Sequence, residues 1–179
     1  MKNSIIKFGL IAGTVVVAIP YVAGLITGYG PETYKTAEII GYTTMILSML
    51  LIFIAVKEYK KKHAGEGLSF FKVFLIGAGI SLIAGIMFGI YNLIYVYYID
   101  PDFMAQYYEY SINNIRNSGA DAAQIEAQVN QLEQQKEMFM NPLVNFFVMF
   151  ATVFVIGLIV AVVAGLLQSE KARESKQTS

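Results

Sequence analysis

Few side chains in this sequence have the types and spacing that chemistry requires. His63 is the single histidine and cysteine is absent, so zinc, haem and iron–sulfur sites lack a set of ligands. His63 also follows three lysines, whose charges disfavour both an imidazolium ion and a bound divalent metal. We therefore expect a solvated loop histidine, no metal site and no cofactor.

The familiar catalytic motifs do not occur. There is no phosphate-binding Walker loop, no HExxH and no GxSxG pattern, and no nucleophile stands beside a general base. Gly77-Ala78-Gly79 is dense in glycine, but it lies inside an apolar run, where glycine serves helix packing. The sequence therefore predicts that the chain is not an enzyme.

Two asparagines, Asn92 and Asn145, are the notable polar side chains inside apolar runs. Both lie near the predicted outer ends of their runs. They could form an interhelical hydrogen bond, a contact worth roughly 1 kcal/mol in membranes, or line a shallow outer vestibule. Both interpretations stay open from the sequence.

The charged residues fall into two groups of opposite sign. Four lysines stand together at Lys57, Lys60, Lys61 and Lys62, and such juxtamembrane lysines gain about 1 kcal/mol each near anionic headgroups. They either contact anionic lipid or only set the topology. Acidic residues dominate between 100 and 141, but they lack the spacing of a calcium loop and predict a solvated helical cap.

Long apolar runs must position all of these residues. The chain has 179 residues, of which 56% are hydrophobic and 15% are charged, a composition typical of membrane proteins. We predict an all-α fold, an integral membrane four-helix bundle over 1–168 with a helical extracytoplasmic insertion between helices 3 and 4. The predicted spans are about 4–27, 36–57, 69–98 and 143–167, the external segment is about 101–140, and 169–179 is a mobile cytoplasmic tail.

Small residues recur at a spacing of four within three of the predicted spans. This spacing places them on one stripe, where the backbone of a second helix can approach closely. Helices 3 and 4 are predicted to pack as a pair through such stripes. The predicted packing residues are Gly9, Gly13, Gly77, Ser81, Gly85, Gly89, Gly157, Ala161 and Gly165.

Local signals mark several helix ends. Ser69 and Asp121 are candidate N-caps, the first for the third span and the second for an external helix over 122–139. Gly65 and Gly67 predict a break before the third span, and Pro20 predicts a bend in the first. The external helix is amphipathic. Its apolar side consists of Ile125, Val129, Leu132 and Phe139.

The distribution of lysine and arginine orients the spans. The N-terminal segment, the loop between spans 2 and 3 and the tail together carry ten, and the opposite side carries three, so both termini are predicted to be cytoplasmic. The first run continues beyond a poor cleavage site at Val22-Ala23-Gly24, so we expect a retained helix rather than a signal peptide. Tyrosines cluster at the outer ends: Tyr29, Tyr34, Tyr91, Tyr95, Tyr97, Tyr98, Tyr107, Tyr108 and Tyr110.

Several short motifs in this four-span plan resemble a known family. They are Gly67-Leu68-Ser69-Phe70-Phe71, the Gly77 to Tyr91 run, Asp100-Pro101-Asp102-Phe103 and Asn141-Pro142. Over nearly the whole chain they are similar to domain-of-unknown-function family 4199 (DUF4199). The resemblance implies a small inner-membrane protein of Bacteroidetes-type bacteria, and it carries over no site residue because none is established for that family.

Three hypotheses of different classes follow for function. The first is a non-enzymatic scaffold or accessory subunit that binds a second copy or another membrane protein, through the external amphipathic face or a small-residue stripe. The second is an oligomeric transporter or channel subunit with its pore between protomers, because no span has an ionisable residue at its centre. The third, an enzyme acting on lipid, lacks a visible nucleophile and base. With 13 basic and 13 acidic residues, the chain has no surplus charge for nucleic acid, and its expected partners are the bilayer, anionic headgroups and protein.

Overall fold

The computed structural model describes the backbone of residues 1–63 and 68–177, and side chains up to 168. Within these ranges the chain is all-α, without a strand, which confirms the predicted fold class. The helices are α1 (Lys2–Thr27), α2 (Tyr34–Met49), α3 (Leu51–Lys62), α4 (Phe70–Ile94), α5 (Phe103–Arg116), α6 (Ala122–Phe139) and α7 (Pro142–Gln177). A π-helical turn, Tyr95–Ile99, extends α4.

Four helical segments are long and apolar enough to cross a bilayer. They are Lys2–Thr27, Tyr34–Lys62, Phe70–Ile99 and Pro142–Gln168. At about 1.5 Å per residue, each exceeds the roughly 30 Å of a hydrocarbon core. The described chain is therefore a four-span bundle with α5 and α6 as a helical insertion between the third and fourth spans.

The third span lies at the centre of the bundle. It packs most extensively against α7 on one side and α1 on the other, while α2 and α3 contact α1 and α7 and complete the four-helix arrangement. The interior is largely apolar, with side chains from every span. Its fully buried large residues include Val16, Met49, Ile52, Val73, Ile76, Ile80 and Val153.

The second span is broken in its middle, where one continuous helix over 36–57 was predicted. The α-helical pattern ends at Met49 and resumes at Leu51. The Leu50 amide is shared between the carbonyls of Ile46 and Leu47 at 3.3 and 3.2 Å, and the buried Ser48 hydroxyl donates to the Met45 carbonyl at 2.9 Å. Such back-bonding competes with the regular ladder and bends helices, which accounts for the break.

Side-chain caps begin three of the helices. Ser69 Oγ accepts from the Lys72 amide at 3.3 Å, and Asp121 Oδ1 accepts from the Gln124 amide at 2.9 Å, which confirms both predicted N-caps. Asn141 Oδ1 accepts from the Leu143 amide at 3.0 Å, one residue before Pro142 opens α7. The predicted glycine break at Gly65 and Gly67 lies outside the described residues.

One helix end differs from that predicted. The apolar fourth span ends at Gln168, close to the predicted 167, but helix α7 continues beyond it to Gln177, over most of the segment that was predicted to be a mobile tail. The residue types over 169–177, mainly Glu, Lys, Ala, Arg and Ser, permit this because most of them are strong helix formers. In α1, Pro20 lies inside a helix that continues through it to Thr27.

The α5–α6 hairpin is fastened to the start of α2 by aromatic contacts. The Tyr34 ring lies 5.7 Å from Phe103, 5.6 Å from Tyr107 and 5.4 Å from Tyr110, measured between centroids. The Tyr107 hydroxyl also donates to Glu38 Oε1 at 2.6 Å. These contacts hold the hairpin over one end of the bundle, which we call the hairpin end; the opposite end, where α3 finishes in lysines, is the lysine end.

Candidate functional site

The predicted small-residue positions lie at contacts between helices within this chain. A methyl group added at Gly77 would overlap Ala161, and one at Gly157 would overlap Ser81. Gly85 and Gly89 of α4 leave room for phenylalanine rings of α7, and Gly165 of α7 leaves room for a phenylalanine ring of α4. The contacts that an added Cβ would meet are Ile83 for Gly9, Met87 for Gly13, Phe150 for Gly85, Phe146 for Gly89 and Phe70 for Gly165.

These contacts bury the small-residue stripes between helices of the same protomer. The α4–α7 interface takes up Gly77, Ser81, Gly85 and Gly89 from one side, and the α1–α4 interface takes up Gly9 and Gly13. Small residues permit close approach of backbones, and here the approach is intramolecular. The stripes are therefore not surfaces for a second protein, contrary to one form of the scaffold hypothesis.

The structure does not contain the predicted hydrogen bond between Asn92 and Asn145. Both Oδ1 atoms are buried, and no described residue forms a hydrogen bond with either, which excludes donation in both directions. Asn145 is 1% exposed at the start of α7, whereas Asn92 lines a cavity between α1, α2 and α4. The predicted hydrogen bond between the two amides is therefore wrong. The vestibule interpretation fits Asn92.

The four lysines of the lysine end are exposed but not equivalent. Lys62 Nζ lies 2.6 Å from Glu58 Oε1, an i,i+4 pair on α3. Lys7 Nζ of α1 lies 2.8 Å from Glu58 Oε2, so this one carboxylate links α1 to α3. Lys57, Lys60 and Lys61 form no ion pair with any described residue.

His63 is the C-terminal cap of α3 rather than a solvated loop residue. It is half-buried, and its ring stacks on Tyr59 with centroids 4.1 Å apart. Its Nδ1 lies 3.0 Å from the Tyr59 carbonyl oxygen. Because α3 continues to Lys62, the i,i+4 spacing brings these two rings together.

The most distinctive site is a cavity of about 200 Å³ at the hairpin end. We call it the aromatic cavity. Its walls come from the end of α1, the α1–α2 connection, α2, α4, the π turn and the start of α5. The residues that define it are Tyr29, Tyr34, Phe88, Tyr91, Asn92, Tyr95 and Phe103.

Ring-to-ring contacts hold these walls in place. Tyr95 is the central ring: it lies 6.0 Å from Tyr29, 6.1 Å from Tyr91 and 5.4 Å from Phe103 between centroids. Its contact with Phe103 is edge-to-face, at 81°, a favoured geometry for aromatic pairs. Tyr95 begins the π turn, whose wider winding is closed by a bond from the Asp100 amide to the Tyr95 carbonyl at 2.8 Å. The π turn thus helps to build the cavity.

Polar groups surround the mouth of the cavity. The Tyr95 hydroxyl donates to Asp100 Oδ2 at 3.5 Å. Tyr29 is 47% exposed at the α1–α2 connection; its pKa is raised by partial burial, then by the neighbouring Tyr21, then by the Asp100 carboxylate. Burial and the hydrogen bond to Glu38 raise the pKa of the Tyr107 phenol well above its usual range. These phenols are therefore neutral hydrogen-bond donors at neutral pH.

Sequence reasoning located the tyrosines but not the cavity. The ring cluster joins residues from 29 to 103, and no local pattern predicts which rings meet. The Lys7–Glu58 pair, 51 residues apart, also had no sequence signal, whereas Lys62–Glu58 follows the i,i+4 rule. In the described part of the chain no group of three or more His, Asp or Glu could hold a metal ion.

Together these features define the class: a multi-pass helical membrane protein with a largely apolar bundle core and an aromatic cavity at one end. The family model described as protein of unknown function (DUF4199) matches residues 7–168. The chain belongs to the DUF4199 family, as its motifs predicted. No curated protein and no solved structure matches it.

Proposed function

We propose that this membrane protein is a non-enzymatic accessory or scaffold subunit of the bacterial inner membrane, and that its α5–α6 hairpin binds another protein or a second copy. The observation that carries the proposal is the state of α6. It has 18 residues and none of them is buried. A helix of this length contributes little to the stability of its own bundle, which supports a role in contacts with a partner.

The packing of α6 supports the same role. It contacts α5 and the start of α7, and its apolar row of Ile125, Val129, Leu132 and Phe139 is half-buried. Neighbouring α5 covers this row in part, and Met138 and Met140 at its end are more than half exposed. Partly covered apolar surface outside a bilayer is the kind of surface that protein partners complete.

The proposed orientation places the lysine end in the cytoplasm and the hairpin outside. Exposed Lys57, Lys60 and Lys61 at the end of α3 support it, because positively charged loops are retained on the cytoplasmic side. Helical spans rather than a closed barrel favour the inner membrane. We also propose that the protein is not an enzyme, because its sequence places no nucleophile beside a general base.

Single cysteines test the hairpin surface cleanly because the natural chain has none. In native membranes, Leu132→Cys treated with a short bifunctional thiol or thiol–amine reagent is expected to give one discrete crosslinked species. The matched control is Gln134→Cys, an exposed position on the other side of α6, which should give much less. Mass spectrometry then separates a second copy from a different protein. Equal crosslinking at both positions, or none at Leu132→Cys, contradicts the proposal.

The alternative is an oligomeric transporter or channel subunit. Among the described residues the ionisable side chains of the spans lie towards their ends, and the bundle core is apolar, so any pore would lie between protomers. Flux of ions or small solutes into proteoliposomes containing only this protein distinguishes the two. Sealed vesicles favour the accessory role, and reproducible flux favours the alternative.

A further inference from the structure

The walls of the aromatic cavity have the composition of a cation-binding cage. Six rings surround about 200 Å³, and they come from the α1–α2 connection, α2, α4, the π turn and α5. This volume is below the roughly 300–1,000 Å³ of drug-sized pockets, so it suits a small molecule. The faces of aromatic rings carry negative electrostatic potential and attract cations held close to them.

The charges around the cavity favour a positive occupant. None of the described residues that line it is charged, and the carboxylate of Asp100 lies at its edge, in hydrogen-bond contact with Tyr95. The surrounding hairpin end carries nine acidic side chains against three basic ones. Such an excess raises the local concentration of cations and disfavours anions.

Asn92 contributes to the wall of the cavity, but its Oδ1 atom is buried and out of reach of a molecule inside it. The aromatic rings are therefore the groups that can hold an occupant.

We propose that the aromatic cavity binds a small alkylammonium ion, whose positive charge lies against the tyrosine and phenylalanine rings. The rings provide the cation–π surface, and Asp100 adds negative charge at the edge. This site is independent of the hairpin surface proposed above to bind a protein.

Three probes of similar size test whether positive charge is recognised. They are tert-butylammonium and tetramethylammonium, which are both cations, and tert-butanol, which has no charge. Ligand-observed NMR titrations are made on the purified protein in an uncharged maltoside detergent, with empty micelles as the blank. We expect both cations to bind about tenfold more tightly than tert-butanol. If tert-butanol binds as tightly as tert-butylammonium, the assignment of a cation site is overturned.

Substitutions then test the rings. Tyr91→Leu is expected to weaken both cations about fivefold, because it removes one ring from the wall. Tyr98→Leu is the matched control, since Tyr98 is 82% exposed and lies outside the aromatic cavity. If Tyr91→Leu leaves the binding of both cations unchanged, or if Tyr98→Leu weakens it equally, the rings do not have the role assigned here.

Discussion

Ser81 of α4 faces Gly157 of α7 so closely that a methyl group at Gly157 would overlap the serine side chain. The Ser81 hydroxyl is fully buried and donates to the Gly77 carbonyl at 2.8 Å, so its polar group is satisfied within its own helix. Met49 of the second span reaches the same point, and its sulfur would lie 2.9 Å from such a methyl group. Three spans therefore meet where one glycine permits it.

Gly157→Ala is expected to destabilise the bundle by about 1–3 kcal/mol, the usual cost of overpacking a close contact. The matched control is Gly41→Ala, because an added methyl group at Gly41 meets no atom within 4 Å; alanine is the better helix former and should be neutral or slightly stabilising. The measurement is reversible unfolding in mixed micelles, followed by circular dichroism. Equal effects at the two glycines would show that the α4–α7 contact is not tight.

Asn145→Leu is expected to stabilise the protein by about 1–2 kcal/mol. The Asn145 side chain is 1% exposed and its Oδ1 has no hydrogen-bond partner among the described residues, so the wild type carries the cost of a buried unpaired acceptor. Leucine has a similar shape and removes that cost. Asn130→Leu, on the exposed surface of α6, is the control and should change little. A loss of stability in Asn145→Leu would mean that the amide has a partner.

Tyr107→Phe is expected to lower the free energy of opening the α5–α6 hairpin by about 1–2 kcal/mol. The substitution removes the hydroxyl that donates to Glu38 Oε1 at 2.6 Å. Hydrogen exchange of α5 amides measures the effect, and Tyr98→Phe at an exposed position is the control. The pKa of Tyr107 is raised by burial and by Glu38, so the neutral phenol is favoured in the folded state.

The sign of the pH dependence follows from that raised pKa. The stabilisation by Tyr107 is complete below the ordinary tyrosine pKa of about 10 and is lost as the pH rises through and above that value. The difference in stability between wild type and Tyr107→Phe should therefore be constant from pH 7 to pH 9 and shrink at higher pH. A difference that grows with alkaline pH would contradict this account.

Replacing Lys57, Lys60 and Lys61 with glutamine is expected to weaken association with anionic lipid about fivefold per lysine, from about 1 kcal/mol each. Lys62→Gln should have a smaller effect because its ammonium is held 2.6 Å from Glu58. Native mass spectrometry in the presence of added phosphatidylglycerol measures how much of this lipid stays bound to the protein. If Lys62→Gln has the same effect as each of the other substitutions, the ion pair does not set the lipid contact.

Span positions and helix caps could be predicted because they depend on local chemistry. Uncharged runs longer than the bilayer is thick become helices since no other structure satisfies the backbone in lipid. Ser69 and Asp121 cap helices through bonds to amides three residues on. The tyrosine-rich hairpin end was also visible in the sequence, as a cluster of tyrosines near the ends of the predicted spans.

The partners of these residues depended on tertiary structure. Asn92 and Asn145 look alike in sequence, but only the fold places Asn92 on the wall of the aromatic cavity and buries Asn145 in the bundle. The small-residue stripes show that helices approach closely, yet only the packed bundle assigns Gly157 to Ser81 and Gly85 to Phe150. The sequence alone thus determined the positions of the four spans and the caps at Ser69 and Asp121, because those depend on neighbours along the chain. The cavity was decided by contacts between residues as far apart as Tyr29 and Phe103, which only the fold brings together.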